Sequence, residues 1–370
     1  MFEFLPDFLR TPVAFVLVLG VLVFIHELGH YLAARYVGVH VETFSIGFGR
    51  AITKWRDRHG TEWRLAWLPL GGYVKLHGQE RPEDVSAEAR AAWQPGRTFH
   101  EKSVGRRALV IIAGPAANFL LAAVLFAVLY GSVGRPATTT QVGEIVADSA
   151  ASRGGMRAGD RILAIDGVEV ARFEDIQRIV SASPGRKLEL RIRRDDAERS
   201  LTVTPDSREA GGRSIGMLGV RGGAVEYSRL SPFEAIPAGV AQTWDVSVQT
   251  LAGVWQMISG GRGAEDLGGP IRIAQLSGQV AQLGLASLIS FIALLSVNLG
   301  LINLFPIPIL DGGHLVFYAV EALRGRPLPP KAQDIGYRAG FALLISLFVF
   351  ATWNDLGHAG LFRWVAERFG

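Results

Sequence analysis

Four long apolar runs constrain this chain more than any other feature of its sequence. They lie at residues 13–25, 108–130, 283–304 and 339–353. Each is long enough, or nearly so, to cross a hydrocarbon core of about 30 Å as a helix. Hydrophobic residues make up 49% of the chain and charged residues only 19%. The pattern excludes an ordinary soluble enzyme and predicts an α-helical polytopic membrane protein with four transmembrane helices.

The first apolar run begins with signals for a helix start. Thr11 is a residue type that caps helices, and Pro12 suits the first helical position, so a helix is predicted to start there. A cleaved signal peptide would carry basic residues before the run and a small-residue cleavage site after it. Glu3 and Asp7 make the preceding segment acidic, and no such site follows. We therefore expect this run to be retained as a transmembrane helix.

Basic residues set the expected orientation of the spans. They are concentrated in two loops, residues 37–104 and 324–338, and loops rich in Lys and Arg stay on the cytoplasmic side of a membrane. Both termini and the segment 131–282 are then expected outside the cytoplasm. The net charge of +4 is small, and the basic residues lie beside the spans. It indicates membrane topology and gives no reason to expect a nucleic-acid partner.

The spans and loops predict a division of the chain into eight segments. In chain order these are a first transmembrane helix (1–36), a cytoplasmic loop with a membrane-associated β segment and a linker (37–104), a second transmembrane helix (105–131), a PDZ-like domain (138–222), an amphipathic helical segment at the membrane (223–282), a third transmembrane helix with the turn after it (283–323), a cytoplasmic loop (324–338), and a fourth transmembrane helix with a C-terminal tail (339–370).

The segment outside the cytoplasm predicts an inserted α+β domain. A helical pattern covers residues 173–183, and strand-like alternation is found at residues 141–146, 161–165, 188–193 and 200–203. Gly159-Asp160-Arg161-Ile162, followed by Asp166-Gly167, resembles the core of a bacterial PDZ domain. The later stretch 232–259 is helical in pattern but carries Gln242, Asp245 and Gln249. We expect it to lie on the membrane surface and not to form a fifth span.

The first cytoplasmic loop predicts a β structure at the membrane. Residues 44–49 and 63–75 alternate like strands, and His59-Gly60 has the composition of a turn. Trp55, Trp63 and Trp67 suit a bilayer interface. A membrane-associated β-hairpin or small sheet is therefore expected, and residues 80–102 after it are expected to be a flexible linker.

The first span contains an H-E-x-x-H motif, His26-Glu27-Leu28-Gly29-His30. Residues four apart share one face of a helix, so both imidazoles could bind one metal ion with Glu27 beside them as a base. The chain has no cysteine, so a metal site must use His, Asp or Glu. The alternative is a polar cluster that only holds helices together, but such groups are costly inside a membrane without a function or partners.

Asp311 is the best candidate for a third ligand. It follows Pro306 and Pro308 and precedes two glycines, so the chain is expected to leave the helical conformation there at membrane depth. The alternative is that Asp311 caps a helix over 314–323. His314 could support the site from outside the ligand set, although an interfacial histidine without a metal role is the simpler interpretation.

The joint motif set resembles the site-2 protease family, and specifically its bacterial regulators of intramembrane proteolysis, which cleave membrane-spanning anti-sigma factors. The matching segments are the H-E-x-x-H span, Gly114-Pro115-Ala116-Ala117-Asn118, the PDZ-like domain, the stretch from Asn298 to Gly312, and residues 44–49 and 69–75. The resemblance covers nearly the whole chain. Some members carry two PDZ domains and this chain has room for one, which leaves the physiological substrate open.

The resemblance implies a zinc endopeptidase of a bacterial inner membrane. Zinc would be bound by His26, His30 and Asp311, with Glu27 as the general base. By position, Asn303 and Asn118 would contact the substrate or its oxyanion, although a role in helix packing is an equal alternative for Asn303 and the favoured one for Asn118. Zinc chemistry gives the same roles, because zinc lowers the pKa of bound water to about 7 and a carboxylate can take the released proton.

The substrates implied are transmembrane segments of single-span proteins already trimmed outside the membrane, of the anti-sigma-factor or signal-peptide-remnant type. A helical substrate must unwind before hydrolysis, and the alternating segment could supply a strand edge at Gly71, Gly72, Tyr73 and Val74 on which it pairs. The PDZ-like domain would either bind new peptide C-termini or bar untrimmed substrates. The alternatives from other functional classes are a non-catalytic PDZ scaffold or chaperone and a zinc transporter or sensor.

Overall fold

The structure, a computed structural model, describes residues 6–80, 84–210, 213–222, 225–260 and 268–358. The described chain divides into two units. One, here called the helical unit, contains the residues up to Leu129 and from Pro232 onward, and the other, the insert unit, is Tyr130–Ser231. All residues of the H-E-x-x-H motif and Asp311 belong to the helical unit.

Within the described residues the chain forms ten helices and twelve strands. The helices are α1 (Asp7–Tyr36), α2 (Ala87–Ala91), α3 (Val104–Ser132), α4 (Ala150–Arg153), α5 (Phe173–Ser181), α6 (Pro232–Ile258), α7 (Pro270–Gln282), α8 (Leu285–Leu304), α9 (Asp311–Arg324) and α10 (Pro330–His358). The strands are β1 (Val41–Arg56), β2 (Glu62–Leu76), β3 (Arg135–Thr138), β4 (Val142–Ile145), β5 (Arg161–Ile165), β6 (Val168–Glu169), β7 (Leu188–Arg194), β8 (Ala197–Val203), β9 (Asp206–Ala210), β10 (Arg213–Met217), β11 (Val220–Gly222) and β12 (Val225–Ser228).

Four of the described helices, α1, α3, α8 and α10, are long and apolar enough to cross a membrane. They contain the predicted apolar runs, except that α8 begins at Leu285, two residues after the predicted start of the third run. Their apolar side chains are only partly covered by protein: between 6% and 39% of the residues in the most apolar window of each helix are buried. Such helices need an apolar environment around them, as the sequence predicts.

Two helix starts were predicted wrongly. α1 begins at Asp7, so Thr11 is not its N-cap and Pro12 lies inside the helix. Pro12 is the sixth residue of this 30-residue helix, so it removes one backbone hydrogen bond, to the carbonyl four residues back, near the start of the helix. α10 begins at Pro330, well before the predicted Ala339. Its first turns are polar, so hydropathy alone placed the start too late.

The predicted hairpin is confirmed, and it is longer than the pattern suggested. Residues 43–46 of β1 pair with residues 72–75 on one side and with residues 62–65 on the other. Residues 62–65 pair in turn with residues 53–56. The hairpin therefore folds into four adjacent stretches, here called the hairpin sheet, with residues 72–76 at one edge. The turn is closed by the Asp57 carboxylate, which accepts hydrogen bonds from the backbone N–H groups of residues 59 and 61.

The hairpin sheet is anchored to the helices by a shared apolar core. Its buried members come from the end of α1, the sheet, the segment before α3, and α3 itself: Tyr31, Ala34, Val37, Val39, Val41, Phe44, Leu76, Phe99, Val110 and Ile111. Phe99 falls in the expected flexible linker, and this part of the prediction is wrong. The backbone N–H of Phe99 donates to the carbonyl of His77, and its side chain is buried, so residues 97–100 are packed against the sheet.

α6 has two different faces. Small residues four apart, Ala235, Gly239, Thr243 and Ser247, are buried. A Cβ on Gly239 would lie 2.4 Å from the carbonyl oxygen of Ala123 in α3, so this face packs closely on a span helix. Large apolar side chains such as Trp244 and Trp255 are exposed on the helix. A helix of this kind is present as predicted, and its location at the membrane surface stays a prediction.

The insert unit contains the predicted strands and helix. A four-stranded sheet of order β6-β5-β7-β8 and α5 enclose a core that includes Ile162, Ile176 and Leu190. At its border Asp160 forms a double hydrogen bond with Arg194, at 2.7 Å for each contact. Burial raises the pKa of Asp160, but the Arg194 pair outweighs it and holds that pKa below its usual value. The Gly-Asp-x-Ile motif therefore carries a charged anchor between β5 and β7.

Candidate metal centre

α1 brings the two motif histidines together inside its apolar length. His26 and His30 are one turn apart, both are buried, and their Nε2 atoms lie 3.2 Å from each other. Glu27 follows His26 directly and points along a neighbouring face of the helix. The predicted convergence of the two imidazoles is therefore present in the structure.

Asp311 reaches the histidines through an irregular turn. α8 ends at Leu304, and Ile309 adopts a left-handed backbone with φ of 96°. For a β-branched residue this costs about 1–3 kcal/mol. α9 then begins at Asp311, whose Oδ2 lies 3.2 Å from His26 Nε2 and 3.4 Å from His30 Nε2. Asp311 is the first residue of that helix and not its cap, so the capping alternative fails.

The three ligand atoms form a triangle with edges of 3.2, 3.2 and 3.4 Å. Zinc bonds to imidazole nitrogen and carboxylate oxygen are about 2.0–2.1 Å long, so two ligands of a tetrahedral zinc are about 3.3 Å apart. Within the described part of the chain this is the group of His, Asp and Glu side chains able to hold a metal ion. The donor set and its spacing fit zinc with one position left for water or substrate.

Hydrogen bonds on the far side of each imidazole leave the Nε2 atoms free for a metal. His30 Nδ1 lies 2.8 Å from the carbonyl oxygen of Val110, so Nδ1 carries the proton and Nε2 a lone pair. His26 Nδ1 lies 3.2 Å from the side-chain amide of Asn118. The Asn118 atom at this position is Nδ2, and its buried Oδ1 has no hydrogen-bond partner. Rotating the amide by 180° exchanges the two atoms, so that Oδ1 accepts the Nδ1 proton of His26 and gains a partner.

These assignments create a strong requirement for a cation. Asp311 Oδ2 is buried and has no hydrogen-bond donor. Two imidazole lone pairs face it at hydrogen-bond distance, and three converging lone pairs in an apolar environment repel one another. A divalent ion at the centre of the triangle removes this repulsion. The residues present therefore fit the metal that the sequence predicted.

One face of α3 forms the wall behind the histidines. Val110, Gly114 and Asn118 are spaced four residues apart on this face. The first two contact His30 and the third contacts His26, so α1 and α3 run antiparallel here. A Cβ on Gly114 would lie 2.3 Å from His30 Nε2, and one on Gly29 would lie 2.2 Å from the carbonyl oxygen of Ala113. Asn118 was predicted from the sequence as a site residue, but the contacts of Val110 and Gly114 with His30 were not. The spacing of four residues among the three could have indicated that they share one helix face.

Glu27 lies between the histidines and the edge of the hairpin sheet. A Cβ on Gly72 would be 3.1 Å from Glu27 Cγ and 2.8 Å from Val23 of the same helix. The Glu27 carboxylate also interacts with the backbone N–H of Val74. The absence of a side chain at Gly72 therefore lets the edge stretch 72–76 approach the metal centre, where the sequence expected a substrate strand.

Asn303 and His314 are not part of the ligand group. The side-chain amide of Asn303 donates to the carbonyl of Leu299, one turn back in its own helix, at 3.0 Å. His314 Nδ1 lies 3.4 Å from the hydroxyl of Tyr337, and the two rings are in contact. A substrate contact for Asn303 stays a prediction. His314 occupies a polar position beside α10 on the helix that begins with Asp311.

Comparison with known proteins gives full-length matches. The sequence profile of Peptidase family M50 matches residues 14–347. A Rhizobium meliloti protein whose name describes a zinc metalloprotease is 44% identical over 94% of this chain and 96% of its own. The Caulobacter vibrioides metalloprotease MmpA is 39% identical, over 98% of this chain and 99% of that protein. The regulator of sigma-E protease RseP of Salmonella typhimurium is 34% identical, over 92% and 97%.

Among solved structures, the PDZ domain of an SdrC-like protein from Listeria monocytogenes matches 23% of this chain and 87% of its own. The sequence identity is 17% and the TM-score is 0.21.

We predict that Gly114→Ala abolishes metal binding. The new methyl group would occupy the position of the His30 imidazole, so His30 Nε2 must leave the triangle. Loss of one of three ligands should lower zinc content of the purified protein to near background. The matched control is Gly105→Ala in the same helix, where an added Cβ meets no atom within 4 Å. Equal zinc content in the two variants would contradict the close packing of α3 on His30.

Proposed function

Because this chain belongs to peptidase family M50, the site-2 protease family, we propose that it is a zinc metallopeptidase that cleaves peptide bonds within transmembrane segments. The observation that carries this proposal is the triangle of His26, His30 and Asp311, whose two histidines lie in a helix long and apolar enough to cross a membrane. The metalloprotease names of full-length relatives agree with it, and one of them specifies zinc.

In the proposed mechanism the protein's own groups position the metal and move one proton. Bound zinc would polarise the attacking water and the scissile carbonyl. Glu27 takes a proton from that water and gives it to the leaving amine. Val110 and Asn118 hold the two imidazoles in the required tautomer, so neither ring must rotate before the reaction. In this proposal Asn118 therefore positions the imidazole of His26. This role replaces the substrate contact that was expected from the sequence.

The edge of the hairpin sheet is the proposed substrate-binding strand. Val74 turns its N–H toward Glu27, away from β1, and Gly72 has the same orientation because amides alternate along a strand. An unwound substrate that pairs with these amides would run past the catalytic carboxylate. Strand addition therefore satisfies the backbone of the substrate and places its carbonyls near the metal.

The proposed substrates are single-span membrane proteins that another protease has already trimmed outside the membrane. We place the protein in the bacterial inner membrane, with the loops around the hairpin sheet in the cytoplasm and the insert unit outside it. The excess of Lys and Arg in those loops supports this orientation. A non-catalytic scaffold is the weaker alternative, since it gives no reason for three ligand atoms and a carboxylate to meet in an apolar bundle.

For the insert unit we propose a PDZ fold and the role of a steric gate. It contributes no residue to the metal triangle, so its role is binding or exclusion. A cavity of about 590 Å³ lies between α5 and residues 215–221 and includes Phe173, Ile176 and Met217. This groove favours the second candidate, a receptor for new peptide C-termini.

The proposed chemistry predicts a difference between two variants. Glu27→Gln should retain zinc and lose cleavage of a reporter transmembrane helix by at least about 100-fold, because the amide cannot accept the proton. Asp311→Asn should lose both zinc and activity, because a neutral amide is a poor zinc ligand. Zinc content and cleavage are measured on the same membrane-inserted preparations. A zinc-loaded Glu27→Gln protein that cleaves at the wild-type rate would disprove the proposal.

The proposed substrate strand predicts a cross-linking pattern. The chain has no cysteine, so Tyr73→Cys in a Glu27→Gln background provides a single reactive thiol beside the edge. Cysteines placed along a substrate helix should form disulfides with it at alternate positions, since side chains alternate along a strand. Thr53→Cys, at the opposite edge of the sheet, is the control and should give none. Equal yields along the substrate would exclude strand pairing.

The two roles of the insert unit predict opposite effects of deleting residues 142–220. A gate predicts that untrimmed substrates become cleavable, because the obstruction is gone. A receptor predicts that untrimmed substrates stay intact and that trimmed ones are cut more slowly. Zinc content shows that the helical unit is intact, and cleavage of both substrate forms is then compared. The receptor pattern in a zinc-loaded deletion protein would refute the gate.

A further inference from the structure

A strongly basic pocket lies where α1 ends and the hairpin sheet begins. Its volume is about 400 Å³, and its surface is mainly polar. Three separate parts of the chain supply arginines to it: the last turn of α1, the hairpin turn and the segment before α3. The side chains that matter are Arg35, His40, Arg58, His59, Thr61 and Arg97.

The three arginines of this pocket have no acidic partner. Within the described residues, no carboxylate lies within ion-pair distance of Arg35, Arg58 or Arg97. Arg35 donates instead to the hydroxyl of Tyr31, and Arg97 to the side-chain carbonyl of Gln94. Elsewhere the chain pairs its less exposed arginines, as Arg107 does with Glu321 at 2.6 Å. The pocket is therefore a local excess of positive charge.

The acidic groups nearest to the pocket are already committed. Both oxygens of the Asp57 carboxylate accept hydrogen bonds, from the N–H groups of residues 59 and 61, the Tyr31 hydroxyl and the Trp63 indole. Glu42 is bound by Lys75 at 3.0 Å and His77 at 2.7 Å. Among the described residues, neither carboxylate lies within ion-pair distance of the three guanidinium groups.

Two further details favour an anion in the pocket. The last carbonyls of α1, whose partial negative charge would repel an anion, are bound by the N–H groups of residues 37–39. Burial, followed by the charges of His77 and Arg97, lowers the pKa of His40. Its imidazole is therefore neutral at physiological pH and can donate one N–H group. The pocket thus offers charged guanidinium donors and a neutral imidazole donor, and the carbonyls of residues 33–35 at the helix end are already hydrogen-bonded.

We propose that this pocket binds a phosphate-bearing anion. Guanidinium groups hold phosphate oxygens through paired, charge-assisted hydrogen bonds, and three of them converge here. The pocket adjoins the end of the first span helix, and the exposed Ile52, Trp55 and Trp67 of the adjacent sheet are side chains suited to a lipid surface. The phosphate of an anionic phospholipid headgroup is the source nearest to it, and a soluble phosphate ester has the same chemistry.

Topology signals alone do not account for this arrangement. Basic residues that only orient a span need to be near the membrane, and repulsion spreads them apart. Here segments distant in sequence fold so that three arginines line one cavity, and a bound anion would relieve their mutual repulsion. The inference does not depend on peptidase activity, because its readout is binding.

The test uses the purified full-length protein in a neutral detergent at fixed ionic strength. Dissociation constants are measured by calorimetric titration for dioctanoyl phosphatidylglycerol, dioctanoyl phosphatidylcholine and glycerol 3-phosphate. The pocket variant is Arg58→Gln/Arg97→Gln, in which both changed side chains are exposed. The control Arg50→Gln/Lys54→Gln removes the same charge from the same hairpin outside the pocket. Wild-type zinc content in both variants shows that the helical unit is folded.

We expect the pocket variant to weaken binding of the anionic probe by about tenfold or more, since two charge-assisted contacts are lost. The control should change it by less than about twofold. Pocket-dependent binding of phosphatidylglycerol but not of glycerol 3-phosphate identifies a lipid headgroup, and equal binding of both identifies a soluble phosphate ester. Equal losses in the two variants, or no pocket-dependent binding of any probe, would overturn the proposal.

Discussion

The convergence of three lone-pair-bearing atoms in an apolar bundle is the constraint on which the helical unit depends. His26, His30 and Asp311 place them 3.2–3.4 Å apart, a spacing at which their lone pairs repel one another and a bound cation is stabilising. α3 must come close enough for a carbonyl and an amide to hold both rings. Only glycine at positions 29 and 114 permits that approach. The proline-rich turn and the strained Ile309 then aim Asp311 into the same point.

Local patterns made much of this predictable from the sequence. The H-E-x-x-H spacing defines a helix face, and prolines followed by glycines mark a break in a helix, so His26, His30 and Asp311 could be named as a group. The function of Asn118 could not be read in the same way. Whether its amide meets a substrate or an imidazole depends on how α3 crosses α1, and that crossing is set by packing between residues 92 positions apart.

The wrong predictions share a physical cause. Hydropathy locates the apolar part of a helix, but α1 and α10 continue into polar turns that contain Asp7 and Lys331. In the same way, residues 80–102 are polar enough to suggest a linker, yet a single buried aromatic, Phe99, holds their end against the sheet. Tertiary contacts decide such boundaries, and no short-range pattern records them.

The position of Gly72 links the proposed catalytic and substrate-binding parts. Without a side chain there, the sheet edge reaches Glu27, and the amide of Val74 faces the same carboxylate. A helical substrate has no free backbone groups to offer this edge, whereas an extended one does. If substrates pair with this edge as proposed, the geometry selects against intact helices. Unwinding would then be a condition of binding, and stable transmembrane helices, including those of the protein itself, would be poor substrates.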